Sequence, residues 1–388
     1  MTKTAAKRVF ISACEHSAET HCANLIAAVK RRSPTAIEWV GLGGDKMAAA
    51  GCRLLANPVQ RAAMIYNVLG QLGYYRRLIQ QAKDYLAAHP VDLVVVCDSP
   101  AFNFHIAKAA RRRGIPVLFY VAPQLWAWAP WRIGKLRRSC SRLACILPFE
   151  QDWFRSRGVD AAFVCNPLFD DLTEPVSANA KTYADYRVDA PRIALLPGSR
   201  DAEIRTLWPA MLDIAAALKA KHPQAMFFSC AADADKLAMM RQMAVNAPAI
   251  DYTMSRVYET AKACDFTLVA SGSATLQVAA AGCPMAILYQ SNKWMWRLVG
   301  QWLIRIRHLS LVNILAQREL VPEYMPYFDS TAPIVQTCDE WLNVPAKLAQ
   351  TSRSLTDLVA PLTASKASDN TAKIVLEMLG LASTAGCP

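Results

Sequence analysis

Two short turns in the sequence carry residue types that hold anions. Pro197-Gly198-Ser199-Arg200, with Glu203 just behind, follows the apolar run Arg192 to Leu196. Proline ends a strand, and glycine lets the backbone approach a ligand closely. Ser199 and the backbone N–H groups beyond it can donate to an anion, while Arg200 offers a bidentate positive fork. Ser271-Gly272-Ser273-Ala274-Thr275 forms a similar turn after Phe266 to Ala270. Two such turns at strand ends of one α/β unit predict a shared diphosphate pocket.

The first half offers carboxylates. Asp98 follows the apolar strand Leu93 to Cys97 and precedes Ser99-Pro100. At a strand's carboxyl end, in a proline-containing turn, it is placed either as a general base or as an Asx-turn residue. Asn103 is expected to face the same site. Ser12 to Thr20 contains Glu15, Ser17 and Glu19 at the start of a helix. Ser17 suits an N-cap; the two glutamates serve either the helix dipole or an acidic lip for a sugar hydroxyl. Trp126 and Trp128, after strand residues 117–121, either stack on a sugar or acyl group or pack on the basic helix that follows. Asn313, Arg318 and Glu319 mark either a solvated helix start or a pocket wall.

These residues need strands and helices to position them. Short apolar runs alternate with helical patterns throughout, which predicts an α/β fold of two tandem Rossmann-like domains. Strands are expected at 9–13, 39–41, 93–97, 117–121, 143–147 and 162–164, then at 193–196, 225–230, 266–270 and 285–288. Helices are expected at 20–31, 78–88 and 106–113. The polar stretch Glu174 to Ala180 reads as a linker. It divides the chain into residues 1–180 and 181–388, with the helical patterns between Ser352 and Leu381 assigned to the second domain. Ligands of such folds bind at the carboxyl ends of the strands.

The chain has 388 residues, is 53% hydrophobic and carries a formal net charge of +12. The positive excess favours an anionic partner. It clusters at Arg111 to Arg113, Arg132 to Arg142 and Lys293 to His308. No zinc-finger, RNP or basic-zipper pattern accompanies it, so nucleic acid is not expected. Twelve cysteines without a C-x-x-C pair read as reduced, buried small hydrophobes of a cytosolic protein, with no metal site. No run is long enough to span a bilayer, and the first residues lack a signal peptide's apolar region. Two segments suit a membrane surface instead. Met64 to Arg77 carries Ile65 and Leu69, and Lys293 to Arg307 mixes Trp294, Trp296 and Trp302 with cations.

Several motifs in order resemble the lipid-A-disaccharide synthase family, inverting glycosyltransferases of the GT-B fold. They are Val40 to Met47 with Gly51, Asp98-Ser99-Pro100 with Phe102-Asn103, Pro123 to Trp128, and Leu147 to Glu150. Leu195 to Arg200 with Glu203, Ser271 to Leu276, Cys283-Pro284-Met285, and Asn313 with Arg318 to Val321 complete the series. The resemblance implies transfer of 2,3-diacylglucosamine from its UDP derivative to 2,3-diacylglucosamine 1-phosphate, forming a β-1,6 link and releasing UDP. It implies no cofactor or metal, and a peripheral place on the cytoplasmic face of the bacterial inner membrane. Relatives also suggest a homodimer.

By family position, Asp98 or Glu15 is the base, and Ser17, Glu19, Asn103 and Trp126 meet the acceptor. Gly198, Ser199, Arg200, Glu203, Ser271, Gly272, Ser273, Ala274, Gln277, Asn313, Arg318 and Glu319 meet the donor. The sequence departs from the family pattern at four places. Cys14-Glu15-His16-Ser17-Ala18-Glu19 stands for Gly-Glu-x-Ser-Gly-Asp, and Gln277 replaces an acidic residue. Cys165-Asn166 replaces Gly-His, and Ala101 replaces a frequent Asp. Two rival readings follow: a GT-B relative using another UDP-sugar and lipid acceptor, or a weakened paralogue that binds lipid or nucleotide without turnover.

Overall fold

The computed structural model describes residues 6–59, 68–291 and 308–381. The chain forms two compact units, 1–171 with 362–388, and 172–361. Unit 1 is built on seven parallel strands: β1 (Lys7–Ser12), β2 (Ile37–Leu42), β3 (Cys52–Ala56), β4 (Leu93–Cys97), β5 (Val117–Tyr120), β6 (Arg142–Cys145) and β7 (Ala161–Phe163). Their order in space is β3-β2-β1-β4-β5-β6-β7. Unit 2 contains β8 (Arg192–Leu196), β9 (Met226–Ala231), β10 (Ile250–Met254), β11 (Phe266–Ala270), β12 (Met285–Leu288) and β13 (Glu323–Tyr324), ordered β10-β9-β8-β11-β12-β13.

The central strands are apolar runs because helices cover both faces of each sheet. Every residue of β4 and β11 is buried. In each sheet the strand order reverses at one place, between β1 and β4 in unit 1 and between β8 and β11 in unit 2. At such a switch point the loops leave in opposite directions and open a crevice beyond the carboxyl ends. Ser12 pairs beside Val96, and Leu196 beside Val269. The turns singled out by their chemistry therefore leave neighbouring strands at the two switch points.

The domain boundary differs from the expected one. Unit 1 ends at Asp171 and resumes at Leu362. Helix Pro345–Val359 belongs to unit 2, whereas helix Ala367–Met378 belongs to unit 1. The cause is local. Ile374, Val375 and Leu379 pack into one apolar cluster with Cys22, Leu25, Ile26 and Val29 of helix His16–Arg32. Asp170 accepts from the first amides of the terminal helix, Ala367 N at 2.6 Å and Ser368 N at 3.0 Å. Arg31 and Arg32 pair with Asp369 across the same contact.

Candidate functional site

In unit 1 the β4 turn is held in an unfavourable backbone conformation. Asp98 has φ 51° and Ser99 φ 42°, two successive non-glycine residues in the left-handed region. Each such residue costs on the order of 1–2 kcal/mol. Val121, after β5, has φ 62°, and Cys165, after β7, has φ 68°. All four lie at the carboxyl ends of strands in unit 1, and strain of this kind gathers where function fixes the backbone.

What holds Asp98 is Asn103. This residue is fully buried, with its Nδ2 donating to Cys97 O at 2.9 Å and Asp98 O at 2.8 Å. Its Oδ1 accepts from Ser12 Oγ at 2.8 Å. The Asp98 amide donates to Tyr120 O at 3.0 Å. Asn103 was expected to meet an acceptor; its amide is spent on the turn, so it positions Asp98. Ser99 Oγ donates to Glu15 Oε1 at 3.1 Å, which ties the β1 and β4 turns together. The two carboxylates expected to do proton chemistry are thus neighbours at one switch point.

The β1 turn corrects two further expectations. Helix His16–Arg32 begins one residue before Ser17, and Glu15 occupies the N-cap position without a side-chain capping bond. Ser17 lies exposed in the first helical turn beside His16. Glu19 is buried, and its Oε1 accepts from Lys46 N at 2.7 Å, at the start of helix Asp45–Ala49. The Glu19 side chain ends on a backbone amide, so it braces the loop after β2. Ala18 sits inside a helix, where it needs no glycine-like freedom.

Trp126 is half-buried. Its Nε1 donates to Glu150 Oε1 at 2.9 Å, and its ring meets Phe149 edge-on at 4.9 Å. Glu150 also accepts from Ile146 N and Leu147 N at the start of helix Pro148–Arg155. Burial raises the Glu150 carboxyl to about 7, against the opposing pull of Trp126, Leu147 and Ile146. The sequence signal for Glu150 is a glutamate at the third helical position after Leu147-Pro148, the half of a capping box that reaches back to the N-cap amide.

Unit 2 presents a different surface. Gly198 has φ 103°, and a Cβ there would overlap the Glu203 carboxylate. Glu203 Oε2 accepts from Ser199 N and Arg200 N, both at 3.2 Å, and Oε1 pairs with Arg200 Nη1 at 3.1 Å. The amides expected to cradle an external anion are therefore occupied by a carboxylate of the chain itself. Glu203, expected to touch a donor, caps helix Asp201–Lys221 and steadies Arg200, whose side chain is 75% exposed. Ser199 Oγ, Ser271 Oγ, Ser273 Oγ and the Gln277 amide make no hydrogen bond within the described residues. Gly272 is open on the side where a Cβ would stand, and Ala274 begins helix Ala274–Ala280.

Asn313 is buried in helix Leu311–Ala316, which packs on helix Ala274–Ala280. Its Oδ1 accepts from Leu320 N and Val321 N, and its Nδ2 donates to Val321 O and Glu323 Oε2. The side chain is fully engaged in fixing the loop before β13. Arg318 and Glu319 are exposed and line a cavity of about 550 Å³ with Trp341 and Lys347. No residue of 197–203 or 271–277 lines it. Ser199 and Arg200 follow β8, and Ser271 to Gln277 follow its neighbour β11, at the switch point of unit 2, while Arg318 and Glu319 line the other cavity.

Ile65, Trp294, Trp296 and Trp302 lie outside the described residues, as does the side chain of Leu69. Among the described residues no helix is long and apolar enough to cross a membrane, and no three His, Cys, Asp or Glu side chains converge as a metal site. The eleven described cysteines are buried free thiols.

Two parallel α/β sheets with a switch point each define the GT-B fold. The S. aureus MnaA-UDP co-structure matches over 97% of both chains with a TM-score of 0.62 at 12% identity. Acinetobacter baumannii MurG matches 96% of this chain and 99% of its own, with a TM-score of 0.54 at 13% identity. The sequence narrows the class further. Residues 9–375 match the lipid-A-disaccharide synthetase family. The lipid-A-disaccharide synthase of Geobacter sulfurreducens is 33% identical over 387 residues, 98% of this chain and 99% of that protein. Lipid-A-disaccharide synthase 1 of Legionella pneumophila strain Paris is 31% identical, covering 83% of this chain and 84% of its own. The chain belongs to the lipid-A-disaccharide synthase family and is a hexosyltransferase of lipid A biosynthesis.

Proposed function

We propose that the enzyme transfers 2,3-diacylglucosamine from UDP-2,3-diacylglucosamine to the 6-hydroxyl of 2,3-diacylglucosamine 1-phosphate. The observation that carries this reading is the Asp98–Ser99 turn, strained, pinned by Asn103 and tied to Glu15. Such a turn presents a carboxylate with its backbone already fixed. Asp98 takes the acceptor's hydroxyl proton while the oxygen attacks the anomeric carbon. The bond from that carbon to the diphosphate breaks, UDP departs with the electron pair, and the configuration inverts. Glu15, bonded to Ser99, orients this turn and shares its electrostatic environment.

In unit 2, Arg200 and the hydroxyls of Ser199, Ser271 and Ser273 meet the departing diphosphate, where they oppose developing negative charge. Gln277 bonds the ribose diol as a neutral amide. Ser17 and the ring of Trp126 flank the acceptor. The acyl chains of both substrates place the enzyme at the cytoplasmic face of the inner membrane, contacted through residues 64–77 and 293–307. A homodimer is the assembly that the family implies.

The test is UDP release from the two purified substrates, with and without EDTA. Asp98→Asn keeps a residue that tolerates the left-handed region. It should lower kcat by about 10²–10⁴ while leaving the melting temperature in place. A variant within threefold of the parent would remove Asp98 as the base. UDP binding with no release from any sugar donor would favour a protein without turnover.

A further inference from the structure

Several surface cations are paired with acids: Lys7 with Asp92, Arg8 with Glu38, Arg142 with Glu377, Lys221 with Asp339. Five others gather in one place without such partners among the described residues. Lys108, Arg111 and Arg112 of helix Pro100–Arg112 face Lys135 and Arg138 of helix Ile133–Ser139, and together they line a cavity of about 680 Å³. The spacing is the cause. Lys108, Arg111 and Arg112 fall on one side of their helix, Lys135 and Arg138 on one side of theirs, and the helices pack together through their apolar sides.

Among the described residues none of these five cations has a carboxylate within ion-pair distance. Arg111 donates to Ser141 Oγ at 3.0 Å, and Lys135 lies 4.5 Å from the centre of the Phe104 ring. Lys135 is held below the usual lysine range by burial, Arg132 and Lys108; His105 is lowered by burial, Lys135, Lys83 and Lys108. The neighbouring groups that face this pocket are thus themselves cationic or hydroxylic, and their mutual repulsion calls for an anionic partner.

The segment leading into helix Ile133–Ser139 adds a second requirement: Trp131 is 61% exposed and Trp128 38% exposed, with the Arg132 guanidinium 5.2 Å from the Trp128 ring. Exposed indoles beside unpaired cations match the boundary between phosphate head groups and acyl chains. A soluble phosphate would satisfy the cations and leave the indoles in water.

We infer that the cationic pocket between helices Pro100–Arg112 and Ile133–Ser139, with the exposed Trp131 just ahead of the second helix, docks unit 1 on an anionic phospholipid bilayer. This deepens the reading of an enzyme acting at a membrane and rests on it. It adds a contact surface independent of residues 64–77 and 293–307.

The test is sedimentation of the full chain with phosphatidylglycerol–phosphatidylcholine vesicles and with phosphatidylcholine alone. The parent should sediment with the anionic vesicles, less so as salt rises. Reversing two charges, Lys108→Glu with Arg111→Glu or Lys135→Glu with Arg138→Glu, should reduce partitioning by about tenfold or more. Trp131→Ser should reduce it by a smaller factor. UDP release from detergent-dispersed substrates should stay at the parent level in all three, which also reports that they fold. Should a reversed pair misfold, Lys108→Gln with Arg111→Gln replaces it. A parent that ignores anionic vesicles defeats the membrane reading itself. A parent that binds, with folded variants that bind equally, overturns this surface alone. Release of the parent by inorganic phosphate at constant ionic strength would show a soluble-phosphate site and overturn the bilayer assignment.

Discussion

The two switch points solve opposite problems with opposite materials. In unit 1 the turn after β4 is strained and surrounded by buried polar groups: Asn103 is sealed from solvent and bonded three ways, and Glu19 is buried on a backbone amide. In unit 2 the turn after β8 relies on a glycine at φ 103°, and its hydroxyls and arginine stand open. A proton acceptor must be held rigidly in one direction, so its supports belong to the fold. A diphosphate is large and many-toothed, so its contacts can sit on a relaxed surface. Substitutions of the buried supports in unit 1 should therefore cost stability as well as rate, and those of the open side chains in unit 2 should cost donor use alone.

The largest effect that could break this contrast is in unit 2. Arg200→Ala should lower kcat/KM for the donor by about 10²–10³ with an unchanged melting temperature, read by UDP release and thermal unfolding. A loss of stability comparable to the loss of activity would put Arg200 inside the fold. Next is Asn103→Ala, which strands the carbonyls of Cys97 and Asp98 and the hydroxyl of Ser12. Destabilisation of about 3 kcal/mol is expected in denaturant unfolding, together with a lower kcat and little change in KM. A change in KM alone would return Asn103 to the acceptor site.

A pH titration sharpens the picture of the Trp126 support. Because burial raises Glu150 from 4.5 to about 7, the folded form holds its proton more tightly than the unfolded form. The resulting stability is full below pH 4.5 and is lost as pH rises towards 7, by up to about 3 kcal/mol. Glu150→Gln should flatten that slope in melting temperature; an unaltered slope would place the titration elsewhere. The smallest effect is Glu203→Gln, expected to cost about 1 kcal/mol of stability and to change donor KM by less than about threefold. A loss matching that of Arg200→Ala would mean that Glu203 touches the donor.

Legibility in the sequence followed burial. The central strands β4, β11 and β12 match the apolar runs residue for residue, because both faces of each are covered. The strands missed were β3, β10 and β13, and all three are edges. The β10 sequence Ile-Asp-Tyr-Thr-Met is only half-buried, so no unbroken apolar run marks it. At the site, residue type revealed which turns matter but not which way each side chain points. Asp98 and Arg200 were legible from their positions after strands. In sequence, Asn103, Asn313, Glu19 and Glu203 look like ligand contacts, because polar residues near a functional turn look alike there. Their hydrogen bonds to Cys97, Val321, Lys46 and Ser199 arise from tertiary neighbours or helix ends. The two segments proposed for the membrane surface are legible from composition alone.

The return of helix Ala367–Met378 to unit 1 sets an order of assembly. Unit 2 is one uninterrupted stretch, 172–361, and every residue it needs has been synthesised before that helix exists. Unit 1 begins first on the ribosome yet must wait for the end of the chain to cover Leu25, Ile26 and Val29. Until then the earliest helix carries a bare apolar face. A nonsense codon after Leu362 would therefore injure the half of the enzyme farthest from it in sequence.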